Sequence, residues 1–388
     1  MRTKRFVSLL AAVSAVTLLS SACGAGGGTS DTSGPIKIGF FEPQTGFGAP
    51  DGRSALAGAQ LAVQEINADH GIDGRKVQLV TYDDGSDPKQ GAVIATKLTT
   101  QDHVVAAVSG SYSPQTLAAA ALFQRAKIPM MSAYAVNPGI PQTGDYIFQQ
   151  DFNGVVQGRA GAKILYDEGS RKPAIISIDN DFGNALVQGF QDEAKKLGMS
   201  VVSSDKNQFG EKNFDTIIRR ALSRGADSVY MVQYVAEGKQ FLLAWQRSGS
   251  HIPVLSTEGI DSAGFLDSIG HLADGMKFTT NLNRDSSSTA TRQFLTDFDK
   301  AENFSADMVA ASSHDAVMLI AQAMKDKGTS PADIQAGLAG LKNFEGATGT
   351  VTHFTADGEV VKPVQVQVFK DGAVHSAGVV NDPSIVTP

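Results

Sequence analysis

Between Val104 and Pro138 the sequence carries its clearest chemistry, and it is the chemistry of holding an anion rather than of breaking a bond. Ser109, Gly110, Ser111, Tyr112, Ser113 and Pro114 set hydroxyls and backbone amides ahead of a proline. The apolar run Val104 to Val108 before them reads as a strand buried on both faces of a parallel sheet. Ser113 suits an N-cap and Pro114 the first helical position, opening an alanine-rich helix from Gln115 to Ala126. A helix that starts at the carboxyl end of a strand directs unpaired N–H groups and a partial positive charge toward any ligand lying there. A second apolar strand, Ile128 to Met131, brings Ser132, Ala133 and Tyr134 to the same edge. Taken alone, Ser113 and Pro114 are more simply the ordinary start of a helix, since caps far outnumber ligand sites.

Other patterns that could do chemistry fall short. Gly46, Gly48 and Gly52 approach a dinucleotide fingerprint, but the third glycine comes one residue late. Asp179, Asp181 and Gly183 open like a calcium loop, yet Phe190 stands where the closing Glu belongs. His70, His103, His251, His271, His314, His353 and His375 lack metal-ligand spacing, and no Gly-x-Ser-x-Gly elbow occurs. Asp83, Asp84 and Asp87 read as turn and cap residues. No enzyme, cofactor or metal is therefore expected, and a hydrolase is a distant third reading.

The chain has 388 residues, enough for two domains, and a formal net charge of -7, which argues against a nucleic-acid partner. Arg2, Lys4 and Arg5 precede an apolar segment from Phe6 to Leu19 and the small residues Ser20 to Ala22, so residues 1–22 are expected to be a secretory leader. Cys23, the single cysteine, follows directly. Its setting resembles a bacterial lipoprotein processing site, although Ser20 stands where that pattern usually has Leu; ordinary cleavage after Ala22 is the alternative. Residues 23–34 are mostly Gly, Ser, Thr and Ala, a composition that forms a flexible tether. A lipid on Cys23 would anchor an exported protein to the outer face of the cell membrane. No other stretch is long and apolar enough to span.

Beyond Pro35 the sequence alternates strands with helices. Ile36, Ile38 and Phe40 start the first strand, and a loop from Glu42 to Gly52 leads to a helix with Leu56, Ala59, Val63 and Ile66 on one face. Val77 to Tyr82 is the next strand, and the alternation continues to about Phe148. It then resumes with a helix from Val155 to Tyr166, a strand from Ala174 to Ile178 and a helix from Asn184 to Leu197. Val201 to Ser203, Ser228 to Val232 and Val254 to Ser256 read as further strands, separated by helices at Phe214 to Arg224 and Gly238 to Arg247. From Thr291 to Leu341 the chain is mostly helical. Val364, Val366 and Val368 alternate ahead of a hairpin turn at Asp371-Gly372. Such alternation implies right-handed crossovers and parallel sheets in an α/β fold.

Several runs resemble the type I periplasmic solute-binding proteins, in the leucine, isoleucine and valine branch that serves ABC importers. They are Ile36 to Gly39, Thr45-Gly46, Ala57 to Val63 with Ile66-Asn67, Gly71 to Gly74, and Tyr82-Asp83-Asp84 with Asp87 to Gln90. Ser132 to Pro138 and Thr257-Glu258-Gly259 lie where that family has binding loops. The resemblance implies two Rossmann-like lobes with parallel sheets, joined by a three-segment hinge, with the ligand cleft between them. One lobe would comprise 35–151 and 284–351, the other 152–283 and 352–380, leaving 381–388 as a tail. It also implies a monomeric substrate-binding protein that delivers a small polar solute to membrane permease subunits. A ligand-sensing component of a signalling system is the alternative from another class, and a plain branched-chain amino-acid binder the alternative within the family.

An amino acid needs donors for its carboxylate and an anion for its ammonium. The resemblance puts Ser113 and the backbone near Tyr134 on the first task and Glu258 on the second, with Phe182 and Tyr234 walling a side-chain pocket and Tyr112 on the donor loop. Two positions depart from the family pattern. Val136 replaces a Thr whose hydroxyl helps hold the carboxylate, and Asp51 replaces a Tyr of the leucine-type relatives. A basic, amine or amide ligand is the expectation these departures raise; a solvent-facing Asp51 is the simpler alternative.

Overall fold

The computed structural model describes residues 34–388, so the expected leader, Cys23 and nearly all of the expected tether lie outside the described residues. Along the chain run β1 (Ile36–Glu42), α1 (Ala49–Ala68), β2 (Val77–Asp83), α2 (Pro88–Thr100), β3 (Ala106–Ser109), α3 (Ser113–Ala126), β4 (Met130–Ser132) and β5 (Ile147–Gln149). These five strands form one parallel sheet in the order β2-β1-β3-β4-β5. Next come α4 (Gly154–Asp167), β6 (Pro173–Ile178), α5 (Asp181–Lys196), β7 (Ser203–Asn207), α6 (Asp215–Ser223), β8 (Ser228–Val232), α7 (Val235–Ser248), β9 (Val254–Ser256), α8 (Ala263–Ile269) and β10 (Lys277–Thr280). The chain continues through α9 (Thr289–Ala301), α10 (Met308–Lys327), α11 (Pro331–Gly340), β11 (Lys342–Gly346), β12 (Gly349–Phe354) and β13 (Val360–Val361), and ends with β14 (Val364–Lys370), β15 (Ala373–Val380) and α12 (Pro383–Val386).

The second sheet has the order β15-β14-β10-β9-β8-β6-β7. Its first five strands in the chain pair in parallel, whereas β14 and β15 add on antiparallel, so this sheet is mixed. The turn between β14 and β15 is the one expected from sequence: Asp371 and Gly372 both take positive φ, 54° and 74°, as a tight type I′ hairpin requires. A small antiparallel sheet of β11, β12 and β13 is a further element, and the sequence reading did not foresee it. Among the described residues no helix is long and apolar enough to cross a membrane.

The structure corrects several local expectations. Helix α1 begins at Ala49, with Pro50 in its first turn, so Asp51 lies in a helix and not in a loop. Ser113 is the first residue of α3 and not its cap; Tyr112 takes the N-cap position in extended conformation, without a side-chain capping bond. Strand β7 falls at Ser203–Asn207, after the expected Val201 to Ser203. It is the edge strand of its sheet, where polar side chains are tolerated and alternation is a weak guide.

Helices α1 and α10 pack at backbone contact. A Cβ on Gly58 would lie 2.0 Å from the Ala310 carbonyl, which leaves glycine as the residue that fits there. That approach sets Ser54 Oγ 2.5 Å from Asp307 Oδ1, and Asp307 also caps α10 through Ala310 N.

Candidate functional site

One cavity lies among residues that follow strands of both sheets. On one side Tyr112 and Ser113 follow β3, Tyr134 and Ala135 follow β4, and Asp51 reaches in from the first turn of α1. On the other side Phe182 follows β6, Tyr234 follows β8, and Glu258 follows β9. Seven of the eight expected ligand residues are thus brought together.

The eighth, Val136, does not line the cavity. Its side chain is buried in the core with Ile178 and Leu186, and its carbonyl accepts from Gly154 N at 2.8 Å. The missing hydroxyl at this position is consequently replaced by packing and leaves no gap in the cavity wall.

Ser113 begins a helix, and the first-turn N–H groups of a helix lack intrahelical partners, so the mouth of α3 presents donors to the cavity. The Tyr134 hydroxyl donates to the Gly110 carbonyl at 2.7 Å, which fixes its ring as a wall. Tyr112 crosses Tyr134 edge-on at 5.9 Å and meets Tyr234 at 5.3 Å, and Tyr234 stacks on Phe182 at 4.9 Å. The four rings therefore make one continuous aromatic lining.

Two carboxylates face this lining with incomplete hydrogen bonding. Both oxygens of Glu258 are buried without a partner, and the side chain is almost fully enclosed. Burial, followed by repulsion from Asp151, pushes its carboxyl well above the usual range. Asp51 accepts a 2.6 Å hydrogen bond from the Tyr112 hydroxyl on Oδ2, while Oδ1 is buried and unpartnered. Burial raises this carboxyl too, opposed by the hydroxyls of Tyr112 and Ser262. Tyr112 itself is driven upward by burial and by the Asp51 charge, so it remains a donor at neutral pH.

Asp261 also lines the cavity, but its charge is matched: Arg284 grips it with both terminal nitrogens at 2.5 and 3.2 Å, and Thr280 donates at 2.6 Å. No Lys or Arg lines the cavity among the described residues. Glu258 and Asp51 thus bring to the cavity buried oxygens that lack donors.

Glu258 reaches its place because Gly259 follows it. A Cβ there would lie 2.4 Å from the Gln233 carbonyl and 3.0 Å from the Phe182 ring. Behind Glu258 the segments that pass between the sheets are buried and polar. Asp151 is fully enclosed with its carboxyl pushed by burial to about 7, against the opposing pull of Lys362. Lys362 is itself buried, donating to Thr348 Oγ1 at 2.6 Å.

Sequence reasoning missed Asp261, Ser262, Met308 and Val309 in the cavity wall, while Ala135 and Gly259 fall within the binding loops it expected. Asp261 and Ser262 stand just beyond the Thr257-Glu258-Gly259 run, and Asp307 ahead of an apolar helix was a readable cap. Nothing local signalled that the α10 start would reach this cavity.

Two sheets whose strand ends enclose a polar-and-aromatic cavity define a small-molecule binding protein of the two-sheet α/β class. The periplasmic binding protein family model matches residues 35–373, and the chain belongs to that family. The leucine-specific-binding protein of Salmonella typhimurium is 31% identical over 248 residues, which span 63% of this chain and 66% of the relative. The match therefore spans just under two thirds of that curated relative's length. LivJ of Streptococcus pneumoniae, a branched-chain amino acid transporter substrate-binding protein solved with isoleucine, is 27% identical with a TM-score of 0.82, covering 89% of this chain and 99% of that one. A solute-binding protein of an ABC transporter from R. palustris, solved with benzoate, shares the fold at a TM-score of 0.81 and 22% identity, covering 89% of this chain and 96% of that one. The fold is that of the type I periplasmic binding proteins, as the sequence resemblance implied.

Proposed function

We propose that this protein is an exported solute receptor that captures a small ammonium-bearing compound between two lobes and delivers it, chemically unchanged, to an ABC permease. The observation that carries the reading is Glu258: a buried carboxylate with both oxygens unpartnered, set in a cavity whose other wall includes the start of α3. The ligand ammonium pairs with Glu258, and the ligand carboxylate lies at Ser113 and the backbone of Tyr134 and Ala135. The relatives solved with isoleucine and described as leucine-specific support an amino-acid-like ligand. The lobes follow the division implied by the resemblance, 35–151 with 284–351 and 152–283 with 352–380, and they close by hinge motion at their crossings.

Burial raises the Glu258 carboxyl and pairing with an ammonium lowers it again, so capture of an ammonium is linked to proton release. Calorimetry of leucine, valine and lysine at neutral pH, in two buffers of different ionisation enthalpy, is expected to show release of up to about one proton per bound ligand. Binding of an amine with no proton exchange removes Glu258 as its partner. Failure of all amines to bind removes the reading itself.

The membrane anchor in this reading is a lipid on Cys23, supported by its place between a leader-like segment and a Gly/Ser-rich stretch. Cys23→Ala is expected to move the protein from the membrane fraction to the soluble fraction without altering its melting temperature. An unchanged distribution between the fractions rules out this anchor.

A further inference from the structure

Beside the cavity lies a second chamber of about 280 Å3, and the two share Asp51, Tyr112, Tyr234 and Ser262 as common walls. The rest of its lining is apolar with one exception. Phe47, from the β1–α1 connection, stacks on Tyr112 at 5.3 Å and meets Phe209, from the β7–α6 connection, at 4.4 Å. The exception is Glu237 on α7. It is fully buried; Oε1 accepts from Gly210 N at 2.7 Å, and Oε2 has no partner.

We propose that this chamber receives the positively charged far end of an elongated solute, so that the ligand is a basic amino acid or a close analogue and not a plain aliphatic one. This inference rests on the reading of the first cavity as an ammonium site. A single ammonium on Glu258 leaves Asp51 Oδ1 and Glu237 Oε2 buried without donors, and no Lys or Arg lines either chamber among the described residues. An aliphatic side chain extending into the chamber would offer neither oxygen a donor and would leave both unpaired. A distal ammonium or guanidinium supplies the missing donors. The faces of Phe47, Tyr112 and Tyr234 add attraction to a cation that they could not offer a neutral chain.

The shared walls make the order of groups definite. The ligand's α-ammonium lies toward Glu258 and its terminal cation toward Asp51 and Glu237, with the stem running along the edges of the Tyr112 and Tyr234 rings, which touch at 5.3 Å and form the shared wall. Half-exposed Phe47 and Phe209 meet over the outer side, where they shield that cation from solvent.

The test compares L-lysine and L-arginine with L-norleucine, which has a stem of similar length and no terminal charge, by titration calorimetry of the purified protein. Lysine or arginine is expected to bind at least about tenfold more tightly than norleucine, as one charge-assisted hydrogen bond allows. Asp51→Asn and Glu237→Gln are each expected to reduce that preference about tenfold or more, with an unchanged far-UV circular dichroism spectrum and cooperative melting as the control for folding. Norleucine binding as tightly as both basic amino acids, or a preference unmoved by either substitution, overturns the second chamber and leaves the ammonium site standing. No binding of any of the three amino acids overturns both.

Discussion

Glu258→Gln is expected to weaken the proposed capture of ammonium-bearing solutes roughly thirtyfold or more and at the same time to stabilise the free protein. Truncating one partner of a buried charge pair typically costs about 2–5 kcal/mol of affinity, which is roughly thirtyfold or more in Kd. In this cavity the loss falls toward the upper end, because Asp261 is already committed to Arg284 and cannot replace the missing anion. The gain in stability has the same origin. A carboxyl whose folded pKa is raised above its unfolded value has its stability contribution in full below the unfolded pKa and loses it as pH rises through the folded one. The free wild-type protein therefore carries a penalty that grows above the ordinary carboxylate range, and the neutral amide escapes it. Urea denaturation of both proteins should show little difference near pH 4 and a clear advantage for Glu258→Gln near pH 8. Tight binding by the variant would place the ammonium elsewhere. A loss of stability equal at both pH values would reveal a partner for Glu258 within the fold.

A large destabilisation is expected from Asp315→Ala, at a position that never touches the cavity. Asp315, fully buried on α10, accepts from Ala347 N at 2.8 Å, Thr348 N at 2.8 Å and Thr348 Oγ1 at 2.6 Å, which pins the β11–β12 turn to the helix. The turn fits so closely that a Cβ on Gly346 would lie 2.4 Å from Asp315 Oδ2. Removing the carboxylate leaves these donors buried and unanswered. It also takes a neighbour from His314, whose Nε2 lies 3.0 Å from Glu65 Oε2 and whose Nδ1 lies 3.3 Å from Asp315 Oδ1. The expected cost is about 3–5 kcal/mol, the range for breaking a buried ionic contact by deleting one partner.

The pH dependence gives this second prediction a separate readout. Burial by itself would lower the His314 pKa, but the hydrogen bonds to Asp315 and Glu65 overcome it and raise the imidazole to about 9. Its contribution is complete below the ordinary histidine value and is lost as pH rises toward 9. Burial likewise opposes ionisation of Asp315, yet the His314 contact and the Thr348 hydroxyl hold its carboxyl below the usual range. That contribution is present above the ordinary carboxylate pKa and is lost as acid drives the pH through the depressed value. In Asp315→Ala the His314 titration, followed by NMR, should move downward toward the ordinary histidine range. A destabilisation under about 1 kcal/mol with an unmoved His314 would mean that the turn is held by other contacts.

Much of this molecule was legible because the signals were short in range. Buried apolar runs marked β3, β6 and β8, cap and proline chemistry marked α2, and Asp371-Gly372 marked its hairpin, each through residues within a few positions of one another. The boundaries that failed were those set from outside the segment. Strand β7 has no apolar residue and exists because β6 offers it backbone partners at a sheet edge. Ser113 loses its capping role because the chain enters α3 one residue earlier, through an extended Tyr112.

The sequence by itself determined the α/β alternation, the strand-end loops bearing Ser113 and Glu258, and the acidic residue at position 51. Local backbone preference and hydrophobic period are written into neighbouring residues and need no knowledge of the whole. The tertiary structure alone decided which of the carboxylates are matched. It pairs Asp261 with Arg284, turns Val136 into the core, and leaves Glu258 without a hydrogen-bond partner. It also brings the start of α10 to a cavity otherwise lined from α1 and the strand-end segments, as in the bond between Ser54 and Asp307, 253 positions apart. Those outcomes depend on how two sheets pack and on what burial then costs each charge, and burial is a property of the assembled chain.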